Sequence, residues 1–262
     1  MLNGFSCKII DIMGKIDFDL NERDWVESFD NIVKENNLNI PKYDKLDFLS
    51  ETNYQLTNKE QVLIDIIKQN NIILYHGCKA FNVDDYYKNG IQIPSKEFYI
   101  SLFNKYLNEI KIELSDVDKI KLEDAIENRK LENALFGLFL PQQFEKECSH
   151  YVLFGSEMVT YYFVRMFGEY AYEKLIRIGT PTIFKIKIPI DSLSEYNIRA
   201  VCAEIIKCYL DIKSGYTYEN NLCPGIKINY SLPSYFIISH NNPKKCYSYH
   251  LQRQVKFEQT KI

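Results

Sequence analysis

Three successive aliphatic residues, Ile72-Ile73-Leu74, run straight into Tyr75-His76-Gly77, and no other stretch of the 262-residue chain constrains the fold as tightly. A short unbroken apolar run suits a strand buried on both faces. It delivers a polar aromatic pair at its end. Gly77 has no side chain, so another molecule can approach the backbone there. Phe81 to Lys88 then reads as one or two helical turns. Asn89-Gly90 breaks them, and Ile91-Gln92-Ile93-Pro94 begins a new extended segment.

Residues 1–70 read as a mostly helical extension. Asn21-Glu-Arg-Asp-Trp25 looks like a capped helix start, with Trp25, Val26, Phe29, Ile32 and Val33 at helical spacing. Pro41 closes that section, and Thr57-Asn-Lys-Glu60 forms a capping box before the next helix. Residues 95–135 carry two charged helical patterns, an insertion of helices. Strands are expected at Phe136–Pro141 and Thr180–Pro189, the latter with Phe184, Ile186 and Ile188 on one face. Ser149–Phe154 reads as an aromatic strand. Gly155-Ser156 supplies a turn and cap, Glu157 the first turn of a helix, and Met158 to Leu175 its body. A further helix spans Arg199–Ile212, and the last strands are Ile226–Tyr230 and Tyr235–Ser239. Strands and helices do not alternate regularly, and no phosphate-binding glycine loop is present. The expected class is α+β with a split, largely antiparallel sheet, a helical extension over 1–70 and a domain over 71–262.

Tyr75-His76-Gly77-Cys78, the short helix and the Gly90-Ile91 step resemble the opening of ADP-ribosyltransferases of the His-Tyr-Glu type. The resemblance implies that fold and an enzyme acting on NAD. It implies that Tyr75, His76, Gly77 and Cys78 hold the ribose and the nicotinamide amide, Cys78 standing where Ser or Thr is usual. It implies an aromatic residue beside the nicotinamide, for which Tyr151 is the candidate and Phe139, on the strand at Phe136–Pro141, its rival. Small bacterial proteins of this kind act as toxins in toxin–antitoxin or anti-phage systems. The expected partners are therefore NAD, a protein or nucleic-acid acceptor and an antitoxin protein.

Breaking the bond between nicotinamide and ribose develops positive charge on the sugar. A carboxylate beside it gives stabilisation that grows as the charge grows. Glu157 and Glu219 are the two candidates for that catalytic role, alongside His76 and Tyr151. Glu157 read alone is a first-turn helix acid. Glu219 has the later chain position that the resemblance favours, but lies in a loop-like context. No Glu-x-Glu or Gln-x-Glu pair accompanies either. The alternatives are an NAD glycohydrolase, or a non-catalytic binding module on the same fold.

Composition narrows the remaining classes. A net charge of −3 and no long basic run give no bulk attraction to nucleic acid. No stretch has the apolar length of a bilayer span. Seven cysteines without a Cys-x-x-Cys pair, and four scattered histidines, speak against a zinc site or a disulfide framework. Reduced thiols in the cytoplasm are the expectation. A thiol nucleophile needs a base oriented by a third group, and neither Cys78 with His76 nor Cys148 with His150 carries a flanking family signature of that kind.

Overall fold

The computed structural model describes residues 15–38, 40, 58–128, 134–218 and 225–257. The chain is mixed α and β, as its unalternating pattern implies. In order it forms β1 (Asp17–Phe18), α1 (Val26–Glu35), α2 (Asn58–Ile67), β2 (Asn71–Ala80), α3 (Val83–Asn89), α4 (Lys96–Glu109), α5 (Asp116–Asn128) and β3 (Leu135–Gly137). Then come a 3₁₀ turn at Pro141–Glu145, α6 (Ser149–Phe154), α7 (Glu157–Phe167), α8 (Tyr170–Ile176) and β4 (Thr180–Pro189). The chain continues with α9 (Glu195–Lys213), β5 (Ile226–Ile228), β6 (Ile237–Asn241), β7 (Lys245–Ser248) and β8 (Arg253–Lys256). The main sheet has the order β1-β2-β4-β6. It is mixed, with β1 parallel to β2 in the register Asp17 to Asn71 and Phe18 to Ile72, so it is less antiparallel than expected. β3 pairs with β5, and β7 forms an antiparallel hairpin with β8.

The described residues fall into two compact units that interleave along the sequence. The first takes Met1–Leu74, Leu138–Leu140 and Ile186–Ile226. Its core includes edge-on aromatic rings: Phe18 meets Phe29 at 5.5 Å between centroids, and Phe29 meets Tyr209 at 5.2 Å. Phe18 and Phe29 are wholly buried. Polar groups there are tied off. The buried Asn70 side chain accepts from Ile16 N at 2.8 Å and donates to Ile66 O at 2.8 Å. Asp30 on α1 accepts from Lys34 at 2.5 Å, from the Tyr209 hydroxyl at 2.5 Å and from Lys213 at 3.1 Å. Those three donors hold its carboxyl far below the ordinary carboxylate range.

The second unit takes Tyr75–Gly137, Pro141–Lys185 and Lys227–Ile262. Side-chain caps start its helices. Ser95 accepts from Phe98 N at 3.1 Å, and Ser156 from Val159 N at 3.1 Å. α4 packs on α7 through Phe103 and Phe163, stacked at 5.1 Å and 15°. Gly155 links α6 to α7 at φ 98°, and a Cβ there would sit 2.4 Å from the Tyr106 hydroxyl. Only glycine fits such a junction. The Ser149 hydroxyl donates to Tyr247 O at 2.6 Å, fastening the start of α6 to the β7–β8 hairpin.

Several local expectations change. The strand expected over Phe136–Pro141 is the three-residue β3, Leu135–Gly137, and the one expected over Tyr235–Ser239 opens as a 3₁₀ turn, Ser234–Phe236, and is a strand only from Ile237. The strand that begins at Asn71 does not stop at Gly77 but runs to Ala80. Ser149–Phe154 is helical, because Val152, Leu153 and Phe154 are all buried on a short helix rather than alternating across a sheet. Met158–Leu175 is two helices, broken at Gly168-Glu169. α1 opens at Val26 with no side-chain cap, while Asn21 lies in the preceding turn. The capping Thr57 and Pro41 lie outside the described residues. Among the described residues, no helix is long and apolar enough to cross a membrane.

Candidate active site

Every residue from Ile72 to Leu74 on β2 is buried, so the strand is fixed before it reaches Tyr75 and His76. His76 is partly exposed. Its Nδ1 lies 3.0 Å from the Phe136 carbonyl oxygen, which can only accept. Nδ1 therefore carries the proton, and Nε2 is left as an acceptor. Burial pushes the His76 pKa below its ordinary value, against the opposing pull of the Phe136 bond. The result is a neutral imidazole with one fixed tautomer.

The residues flanking His76 are enclosed by protein. Tyr75 is buried. The Cys78 thiol donates to the Tyr86 hydroxyl at 3.6 Å, and burial pushes it up to about 12, so it stays a thiol at neutral pH. Gly77 does not present open backbone to a ligand. A Cβ added there would lie 2.4 Å from the Phe144 ring, so the missing side chain makes room for that ring. Phe139 belongs to the first unit and is fully buried, and its ring faces no open cleft.

One residue on, Lys79 is 3% exposed. Its ammonium donates to Leu175 O at 3.2 Å and to Ile176 O, the last turn of α8. Burial pulls it down to about 7, against a smaller opposing pull from Cys246. Sequence reading passed over Lys79, whose partners lie almost a hundred residues away.

Tyr151, on α6, lies 6.3 Å from Phe144, ring centre to ring centre. Its own ring is 4.2 Å from that of His150, the residue before it. In a strand these two neighbours would face opposite ways, but on a short helix their rings meet. Glu157 opens α7 after the Ser156 cap, with 63% of its side chain exposed. Its Oε1 is 3.3 Å from His150 Nε2, but out of line, so that buried nitrogen has no formed hydrogen bond. His250, in the β7–β8 turn, stacks on Tyr172 of α8 at 4.5 Å and 14°. Burial pushes His150 below its ordinary pKa; His250 adds to that, and Glu157 opposes it.

The fold thus brings Gly77, Phe144, Tyr151, His150 and Glu157 into one chain of neighbours within the second unit. It does not join His76 to Glu157 by any hydrogen bond or ion pair among the described residues. Glu219 lies outside the described residues. Phe144, Tyr172 and His250 belong to this neighbourhood and had no sequence signal beyond being aromatic or titratable. Among the described residues no group of three His, Cys, Asp or Glu side chains could hold a metal ion. No protein-family model, curated protein or solved structure matches the chain.

Proposed function

We propose that the protein cleaves NAD at the nicotinamide–ribose bond and passes ADP-ribose to a protein or nucleic-acid acceptor in the cytoplasm, on a fold of the ADP-ribosyltransferase type. The observation that carries this is His76: a neutral imidazole with Nδ1 committed to Phe136 O and Nε2 left as an acceptor. A ribose hydroxyl is a donor of the kind such a nitrogen takes. Tyr151 would meet the nicotinamide face, and the Glu157 carboxylate would stabilise the charge developing on the sugar. The C–N bond breaks with its electron pair going to nicotinamide. The acceptor oxygen or nitrogen then bonds the ribose carbon and loses its proton. An effector role with an antitoxin partner fits this chemistry and rests on the resemblance of residues 72–91 alone.

A second proposal, a non-catalytic binding module, is favoured by Phe144 lying over Gly77 and by the lack of any bond between His76 and Glu157. Nicotinamide release from NAD separates the two. It is measured with wild type and His76→Ala, each with and without cell extract. Release lost in His76→Ala supports the enzyme, and dependence on extract identifies transfer rather than hydrolysis. No release, with no NAD binding by calorimetry, leaves the binding module.

A further inference from the structure

We propose that His150 is a positioning residue for Glu157: its Nε2 proton orients the carboxylate oxygen Oε1, leaving the second oxygen for the reacting sugar. This role rests on the NAD-cleavage proposal above. The geometry makes the case. His150 Nε2 is closed off from solvent, lacks an aligned hydrogen bond and lies 3.3 Å from Glu157 Oε1. A lone pair on Nε2 is repelled by a carboxylate at that distance, whereas a proton there is drawn to it even before the bond is in line. His150 therefore carries its proton on Nε2, the opposite tautomer to that of His76. A small rotation of the exposed Glu157 side chain would align the bond. Loose contacts of this kind tighten when a substrate fills the site.

The surroundings fix the histidine and leave the glutamate adjustable. The Tyr151 ring lies against His150. Phe154, four residues along α6, packs its ring on His250 at 5.8 Å, and Tyr172 stacks on the other histidine's ring. Charged groups occur on each element packed against α6: Glu145 on the 3₁₀ turn, Glu157 and, in the last turn, Arg165 on α7, Glu173 and Lys174 on α8, Lys245 on β7 and His250 in the turn after it. Glu147 and Cys148 precede α6. Glu173 is taken by Arg253 at 2.7 Å, and Lys174 sits over the Tyr170 ring. Glu145 bears on Cys246, and Glu147 on Cys148. Glu157 and His250 are the charges that bear on His150, one favouring its protonation and the other opposing it. At neutral pH the ring is uncharged and donates without neutralising the carboxylate. In acid it becomes an imidazolium that pairs with Glu157 and cancels the negative charge the reaction needs.

The chain has four histidines, so a proton NMR titration reads each of them. Glu157→Gln, a surface change, is expected to lower the His150 midpoint, and His250→Gln to raise it, with the His76 midpoint unmoved. In NAD cleavage, His150→Ala is expected to lower kcat about tenfold or more, the loss of one charge-assisted hydrogen bond, with KM for NAD little changed. His150→Gln keeps an N–H donor without a titrating ring. It is expected to restore most of kcat and to flatten the acid limb of the kcat–pH profile. A His150 midpoint indifferent to Glu157→Gln overturns the pairing. A coupled titration with full kcat in His150→Ala overturns the positioning role. Wild type that never releases nicotinamide overturns the NAD proposal and this role with it. A coupled titration in that inactive protein would place the fault in the reaction and not in the pair.

Discussion

The two units treat their polar groups in opposite ways. In the first, Asp30 accepts from three donors, and the Asn70 side chain satisfies backbone groups on both of its ends. In the second, His76 keeps an uncommitted Nε2, and His150 Nε2 is buried beside a misaligned carboxylate. A group with all its bonds made is a fastener. A group held in place with a bond still to make is able to do chemistry, and it costs stability while it waits. The difference teaches that the first unit closes its polar groups among themselves, while the second holds two imidazoles with bonding capacity left over.

Breaking the first unit should cost most and change chemistry least. Phe29→Ala removes a ring packed edge-on between Phe18 and Tyr209, and should lower stability by about 3–5 kcal/mol in urea denaturation. If the His150 titration shifts in that variant while it is still folded, the separation between the units is wrong. In the second unit, Gly77→Ala drives a methyl into the Phe144 ring and should cost about 1–3 kcal/mol by the same assay. It should also move Phe144 relative to Tyr151, which aromatic proton shifts would register. Lys79→Met leaves the last carbonyls of α8 without their donor, a loss of about 1–3 kcal/mol. An unchanged unfolding midpoint would mean that water replaces the ammonium.

The smallest effect is the sharpest discriminator. His76 and His150 both have folded pKa values below the ordinary 6.5, so the unfolded chain binds protons more readily. Stability contributed by keeping them neutral is whole above 6.5 and is lost as the pH falls toward the folded values. Asp30 is lowered from 3.8, so its contribution is whole above 3.8 and is lost as the pH falls through its folded value. Acidification should therefore loosen the second unit before the first. Amide exchange followed from pH 7 to pH 3 reads this order directly. Asp30→Asn should flatten only the lower part of the profile.

Where local chemistry decides the structure, the sequence was readable. The Ser156 cap and the turn at Gly155 sit where the residue types place them, and β4 spans Thr180–Pro189 as its alternation implies. Where a distant partner decides, it was not. Gly77 sits inside a strand because Phe144, 67 positions later in the sequence, fills its missing side chain. Ser149–Phe154 holds three consecutive apolar residues, a run too short to separate a strand from a buried helix by periodicity. His76 and Tyr151 were singled out through their neighbours in sequence. His250 was not, since its place beside Tyr172 comes from a hairpin a hundred residues away from His150. Glu157 was legible as a carboxylate, while His150 stood out in the sequence only for its nearness to Cys148.

The interleaving of the two units along the chain has a consequence during synthesis. The first unit needs Met1–Leu74 and also Ile186–Ile226, with Phe29 waiting for Tyr209 and Asp30 for Lys213. A ribosome adding roughly 5–20 residues each second takes on the order of ten seconds or more to make the missing piece. Throughout that interval Phe18, Trp25 and Phe29 emerge with part of their cover not yet translated. A chain cut short before Ile186 would leave that aromatic surface permanently uncovered.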